Sequence, residues 1–313
     1  MHYKIIFYFE KKTSGFRDCR NRKNIMQKIL RILICILSVH FSTAFTSDAV
    51  IVGNLEGQFG NQLFIIAAAT SLALDNNAEA YFPDFVNAKN VHYNLAENYK
   101  TIFYYLKTKL PRIKRLRYHH LEPYFHYRPI PFVKNMQISG YYQSEKYFAS
   151  NKEEIIRLFS PHPEIKDYLY EKYSDIIEHP KTVGVHLRNF LKEDPVQKVF
   201  LTYGPDYYKA AMDLFPDDSL FVVFTNDIEK TKKDFSDIKK NIRYIEGEKF
   251  IYDFYLMSFC KDNIISNSTF SWWSAYLNPN PGKKVIAPPY WFNPNYPADT
   301  KDLLPKDWIV LHY

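Results

Sequence analysis

Three stretches of this 313-residue chain are apolar almost without a break: Ala49-Val50-Ile51-Val52, Val183-Gly184-Val185-His186-Leu187 and Leu220-Phe221-Val222-Val223-Phe224-Thr225. A strand without polar alternation needs cover on both faces, and parallel sheets flanked by helices supply that cover. Helical patterns follow in the expected places. From Asn61 to about Leu74, the residues Leu63, Phe64, Ala67, Ala68, Ser71 and Leu72 form one apolar face, and another helix is able to start after Asn226-Asp227. Asn263-Ile264-Ile265-Ser266 and Lys284-Val285-Ile286-Ala287 read as two further short strands with a helical stretch between them. Strands alternating with helices imply an α/β fold, and two such sets imply two Rossmann-like lobes. Pro161, Pro163 and Pro180 punctuate the region between the sets, giving 49–165 as an N-terminal lobe and 166–313 as a C-terminal lobe. Residues 80–150, rich in Tyr, Asn and Pro, show no period strong enough to assign.

Residues 1–28 hold eight Lys/Arg against only Glu10 and Asp18, and an apolar stretch runs from Ile29 to Phe45 with small residues near Ala44. The apolar part is short for a full span of about 20 residues. Residues 1–48 therefore read as a basic leader with a secretory signal, cleaved or kept as an anchor, its basic side cytosolic. The net charge of +7 suits an anionic ligand, a nucleic acid or a membrane surface, and no motif supports nucleic acid. A basic cluster from Lys107 to Arg117 reads either as a solvated face or as a contact for anionic headgroups or an acidic acceptor. Cys19, Cys35 and Cys260 form neither a disulfide framework nor a metal-ligand spacing, so no metal site is expected.

Chemistry-bearing residues gather where the strands end. Gly53, Gly57 and Gly60 fall within eight residues, between a strand and a helix, followed by Asn61 and Gln62. Glycine there lets backbone N–H groups approach an anion at the helix N-terminus, or simply forms a tight turn. His186 and Arg188 close the second apolar strand on one side of the chain, at the carboxyl end where ligands of open α/β sheets collect. A guanidinium in that place suits a diphosphate, though a lone Arg after a strand also fits a surface ion pair. Ser266-Asn267-Ser268-Thr269 crowds hydroxyls and amides at another strand–helix junction. Trp272 and Trp273 follow and read as packing inside the C-terminal lobe. Asn267-Ser268-Thr269 also fits a glycosylation sequon, against which its strand-end position argues.

The string Gly57-x-x-Gly60-Asn61-Gln62-Leu63-Phe64, the His186-x-Arg188 strand end, Phe224-Thr225-Asn226-Asp227, Leu256-Met257-Ser258-x-Cys260 and Ser266-Asn267-Ser268-Thr269-Phe270-Ser271-Trp272-Trp273 together resemble the α-1,2-fucosyltransferase family, glycosyltransferase family 11. Val285-Ile286-Ala287-Pro288 with Trp291-Phe292 is similar too, and the resemblance runs in order over about residues 49–295. It implies a GT-B-like fold with the donor site in the C-terminal lobe at the cleft. It implies inverting transfer of L-fucose from GDP-β-L-fucose to the 2-hydroxyl of a galactoside. GDP-L-fucose would be a substrate, and no separate cofactor is implied. Candidate donor-binding residues are Gly60, Asn61, Arg188, Asn226, Asp227, Ser266, Asn267, Ser268 and Thr269. Candidate catalytic residues are Arg188, His186, Glu193 and Asp194. One departure stands out: the family pattern His-x-Arg-Arg-x-Asp has Asn189 in place of the second Arg and Leu191 in place of the Asp.

No Asp-x-Asp triplet occurs in the chain, so metal-free neutralisation of the leaving group is expected. The acceptor needs a general base, for which Glu193, Asp194, Asp253 and His186 are available. Asp253 also reads as the cap of a helix Phe254–Cys260. Two alternatives stay open: a non-catalytic sugar- or nucleotide-binding protein of the same fold, and a fucosyltransferase with a protein acceptor. Expected partners are a nucleotide sugar, a glycan acceptor and, through the leader, a membrane. The expected location is the membrane or secretory pathway (Golgi, single-pass type II, in a eukaryote), or the cytoplasm in a bacterium.

Overall fold

The computed structural model describes residues 49–87, 94–111, 115–190 and 198–313. Residues 1–48, which hold Cys19 and Cys35 and read in sequence as a leader, lie outside the described residues, as do Leu191, Glu193 and Asp194. Among the described residues no helix is long and apolar enough to cross a membrane.

Among the described residues, ten strands form two all-parallel sheets. The first takes β1 (Val50–Gly53), β2 (Glu79–Tyr81), β3 (Tyr118–Leu121) and β4 (Met136–Ser139) in the order β2-β1-β4-β3. The second takes β5 (Thr182–Leu187), β6 (Leu220–Thr225), β7 (Asn241–Tyr244), β8 (Asp262–Ile264), β9 (Val285–Ala287) and β10 (Ile309–Val310) in the order β10-β9-β8-β5-β6-β7. The fold is α/β with two parallel sheets, as the buried apolar strands predict.

The helices of more than one turn that connect them are α1 (Phe59–Asp75), α2 (Lys152–Leu158), α3 (Pro163–Ile177), α4 (Pro205–Met212), α5 (Ile228–Asp234), α6 (Phe250–Phe259) and α7 (Thr269–Leu277). Pro163 opens α3 at its first turn, where a missing N–H costs nothing. Asp227 caps α5 by accepting from the Lys230 N–H at 3.1 Å.

The two faces of β5 and β6 serve different cores. Val183, Val185, Phe221 and Val223 pack with Tyr207, Tyr208 and Ala211 of α4. The alternate positions Val222 and Phe224 join a larger core that also holds Ile51, Leu63 and Phe64 of the first half. The pair Trp272 and Trp273, expected inside the C-terminal lobe, instead packs between the halves. Phe64 of α1 lies 4.5 Å from the Trp272 ring and 5.0 Å from the Trp273 ring, and Phe148 stacks on Trp273 at 5.3 Å. This explains why α1 is apolar on nearly every side: it is sandwiched between the first sheet and α7.

Candidate active site

The carboxyl ends of both sheets open on one cleft of about 1040 Å³. Of the residues singled out in the sequence, Gly60, Asn61, His186, Arg188, Asn226, Asn267, Ser268, Thr269 and Asp253 line it, while Asp227 and Ser266 do not. Each of the last two has a structural task instead. Asp227 caps α5, and Ser266 positions His186.

Arg188 follows the last residue of β5, exposed at the cleft, with its Cζ 5.6 Å from the centre of the Phe190 ring. The backbone just after it is clamped by Asn226. The Asn189 N–H donates to Asn226 Oδ1 at 2.8 Å, and Asn226 Nδ2 donates to the Asn189 carbonyl at 2.8 Å. With both ends of its amide committed, Asn226 fixes the chain that carries Arg188. Asn189 is buried, and its own amide donates to Thr225 Oγ1 at 3.3 Å and Thr231 Oγ1 at 3.4 Å. The second position of the family's Arg-Arg pair thus serves the β5–β6 junction in this chain and does not line the cleft.

His186 lies on the β5 face that looks toward the first half. Its Nδ1 is 2.9 Å from Ser266 Oγ and its ring lies against Phe270. Burial, followed by the nearby Arg188 charge, pushes its pKa down to about 3. The imidazole is neutral at any ordinary pH and is too weak a base to take a proton from a sugar hydroxyl.

The glycine motif has a packing reason that its sequence alone does not reveal. A Cβ on Gly60 would stand 2.5 Å from Thr269 Oγ1 and 2.6 Å from the Thr269 carbonyl carbon. Glycine therefore permits the first turns of α1 and α7 to meet. Asn61 Oδ1 joins them, accepting from Thr269 Oγ1 at 3.0 Å and Gln143 Nε2 at 3.0 Å. Neither N-cap residue, Gln58 or Ser268, gives its helix a side-chain cap bond. Two positive helix ends thus meet at the cleft wall, an arrangement that an anion stabilises. Asn267 is buried and donates to the carbonyls of Leu201 at 3.0 Å and Trp291 at 2.9 Å, which leaves no room for a glycan on it.

Asp253 does not cap a helix. Helix α6 begins at Phe250, ahead of the start at Phe254 that its sequence suggests, because Phe250 and Ile251 already pack into the shared core. Asp253 therefore sits in the first turn, facing the cleft, and its buried Oδ1 has no hydrogen-bond partner. Burial, then the charge of Glu248, pushes its pKa up to about 7. Glu248, also in the cleft wall, goes the other way. Burial raises its pKa, but Lys172 Nζ, Tyr173 OH at 2.8 Å and Tyr168 OH at 3.0 Å outweigh that and leave it lowered. Two neighbouring carboxyl groups with divergent pKa values are a signature of functional chemistry.

The same cleft is lined by a chain of aromatic rings that the sequence did not reveal. Phe190 stacks on Phe200 at 5.5 Å, Phe200 meets Phe292 at 5.1 Å, and Phe292 contacts Phe125 and Tyr296, each at 5.0 Å. These residues come from distant parts of the chain, so no local period marks them. Among the described residues no group of three His, Cys, Asp or Glu side chains is gathered as a metal site.

Two parallel sheets facing one cleft, with a guanidinium and two helix N-termini on its wall, form a site suited to an anionic ligand. The sequence model of glycosyl transferase family 11 matches residues 33–312, and the chain belongs to that family. It is 31% identical over 184 residues to an α-1,2-colitosyltransferase of Escherichia coli, covering 56% of this chain and 62% of that protein. It is 27% identical over 244 residues to human galactoside α-(1,2)-fucosyltransferase 1, covering 71% and 63%. The matched part thus spans somewhat over half of each relative's length. Among solved structures, the fucosyltransferase NodZ from Bradyrhizobium is similar with a TM-score of 0.45 at 13% identity, covering 75% of this chain and 94% of that one.

Proposed function

We propose that this chain moves L-fucose from GDP-β-L-fucose to the 2-hydroxyl of a galactoside, inverting the anomeric carbon. The observation that carries this reading is the meeting of Arg188 with the uncapped first turns of α1 and α7 in one cleft. A departing GDP gains negative charge on its β-phosphate. A fixed guanidinium and two helix ends offset that charge without reorganising, and the chain's lack of an Asp-x-Asp triplet fits a reaction that needs no metal. The acceptor hydroxyl oxygen attacks C1 of the fucosyl group from the face opposite the diphosphate. The C1–O bond to GDP breaks, and the hydroxyl proton passes to a carboxylate. Arg188 is the donor-binding and catalytic cation, with Gly60, Ser268 and Thr269 presenting the helix ends beside it. Asn61, Asn226 and Asn267 hold the walls in place. His186 orients and fills. Phe125, Tyr141, Phe292 and Tyr296 offer flat apolar faces for the acceptor's pyranose rings.

Two assignments of the base compete. Asp253 has the suitable pKa, and Glu193 and Asp194 follow Arg188 closely in the chain. Asp253→Asn separates them. A fall in kcat of more than about 100-fold at unchanged donor KM makes Asp253 the base. A rise in donor KM at retained kcat makes it a binding group and leaves the task to Glu193 or Asp194.

The decisive experiment is a transfer assay with GDP-fucose and GDP-colitose as donors, against arrays of galactosides and of peptides, with and without EDTA. Transfer to the galactoside 2-hydroxyl, indifferent to EDTA, is the expected result. Affinity for GDP-fucose without turnover would identify a binding protein, and turnover on peptides alone would move the acceptor class.

A further inference from the structure

We propose that the edge of the first sheet farthest from the cleft is a docking face for an anionic membrane surface. The cleft lies at the carboxyl ends of β1, β3 and β4, where Gly60, Phe125 and Tyr141 line it. The amino ends of the same strands form the opposite edge. Three contacts gather that edge around Asn135. The Arg117 N–H donates to the Asn135 carbonyl at 2.7 Å, the Val50 N–H donates to Asn135 Oδ1 at 3.2 Å, and Val133 N–H donates to Met136 Sδ at 3.3 Å. Leu116 packs on Val50, Val52 and Tyr81, so Arg115 and Arg117 flank an inward-facing residue and are exposed on either side of it. Lys134 is exposed beside Asn135. Tyr118, Phe132 and Val133 are also exposed there, at 40%, 36% and 36%. Bulky apolar groups interleaved with Lys and Arg are the composition that settles at a lipid headgroup boundary.

Charge distribution makes the case independent of any one side chain. Between Asn98 and Ser144 the chain has nine Lys/Arg and one acid, Glu122, while the other positions from 49 onward have 23 Lys/Arg against 30 Asp/Glu. That one acid does not face the edge. Glu122 follows β3 at its carboxyl end, and its carboxylate accepts from the Tyr141 and Tyr142 N–H groups at 2.7 and 3.0 Å. Glu79 opens β2 at this end of the sheet and is paired with Lys107 at 2.7 Å, so Arg115, Arg117 and Lys134 leave the edge cationic on a body whose remaining sequence is acidic. The edge is also the point at which β1 takes over from the preceding residues, whose sequence is basic and then apolar. Membrane attachment there would present the cleft away from the bilayer, toward glycans extending from it.

The test uses the full chain and vesicles of phosphatidylcholine with and without phosphatidylglycerol. A triple variant, Arg115→Glu, Arg117→Glu and Lys134→Glu, is expected to bind the phosphatidylglycerol vesicles at least about tenfold more weakly than the parent. A matched control, Lys209→Glu, Lys233→Glu and Lys306→Glu, should stay within about twofold. Turnover with a soluble acceptor should be unchanged in both. Phe132→Trp gives a readout that does not depend on the triple variant's folding: the emission of the new indole should shift to the blue and strengthen on phosphatidylglycerol vesicles and not on phosphatidylcholine alone. Binding by the triple variant equal to the parent's, no spectral response from the Phe132→Trp protein, or displacement from the vesicles by a short oligonucleotide that itself binds this edge would each overturn the proposal.

Discussion

The two sheets solve the same burial problem unequally. In the second, β5 and β6 are covered on both faces, by α4 on one side and by the shared core on the other. In the first, one face rests on α1, while the apolar cluster on the other, among the described residues, is small: Val50, Val52 and Tyr81 with help from Leu116. The edge strand β3 is largely exposed along its length. The charged chemistry follows the better-covered sheet. Arg188, Asp253 and Glu248 all belong to the second half, where a rigid, dry surround can shift a pKa or hold a guanidinium. The first half supplies a helix end, an amide and aromatic surface. A thin sheet suffices to form a wall; it would not hold a reacting charge.

Four experiments probe that division, in descending order of effect. Arg188→Ala should lower kcat/KM by at least about 1000-fold while leaving the melting temperature nearly unchanged, because the residue is exposed and acts on the leaving group. Wild-type turnover in that variant would place the chemistry elsewhere. Trp273→Ala opens a hole between the halves, and chemical denaturation should show a loss of about 3–5 kcal/mol. If the sheets were independently stable, unfolding would instead split into two transitions. Gly60→Ala pushes a methyl group into Thr269 backbone, costing about 1–3 kcal/mol and raising donor KM as the two helix ends separate. Gly204→Ala, with open space around it, is the matched control.

The smallest effect concerns pH. The folded pKa of Asp253, about 7, exceeds the unfolded value near 3.8, so the folded state holds the extra proton between those limits. Stability should fall as pH rises from about 4 to 7 and level off above. Asp253→Asn removes that slope and should be more stable than the parent at pH 8, by about 1–2 kcal/mol after allowance for partial solvation. Parallel stability–pH curves for the two proteins would show that the carboxyl group titrates normally.

The same inequality decides how much could be read before the structure. Thr182–Leu187, Leu220–Thr225 and Val285–Ala287 are continuous apolar runs because both faces are buried, and the sequence displays them openly. Tyr118-His119-His120-Leu121 is a strand by pairing with β4 alone, held at an edge, and nothing in its residue types announces it. Residues 241–244 carry no clear strand signal for a similar reason, since β7 is an edge strand of the second sheet. At the site, the strand-end rule located His186 and Arg188, and the helix-start rule located Thr269. Neither could say that Asn226 clamps backbone, that Ser266 serves His186, or that Gly60 exists for the sake of Thr269, because those relations join residues 37, 80 and 209 positions apart. Asp253 was misplaced because aromatic residues before it extend α6 by packing, which local capping rules do not see.

The tryptophan pair sets a limit on how this molecule moves. Hinged opening of one half from the other would wet two indoles and tear Asn61 from Thr269, so swinging the sheets apart is an expensive way to admit a substrate. The cleft behaves as a fixed mould. A substrate must therefore enter and a product leave with the two halves held together as they stand.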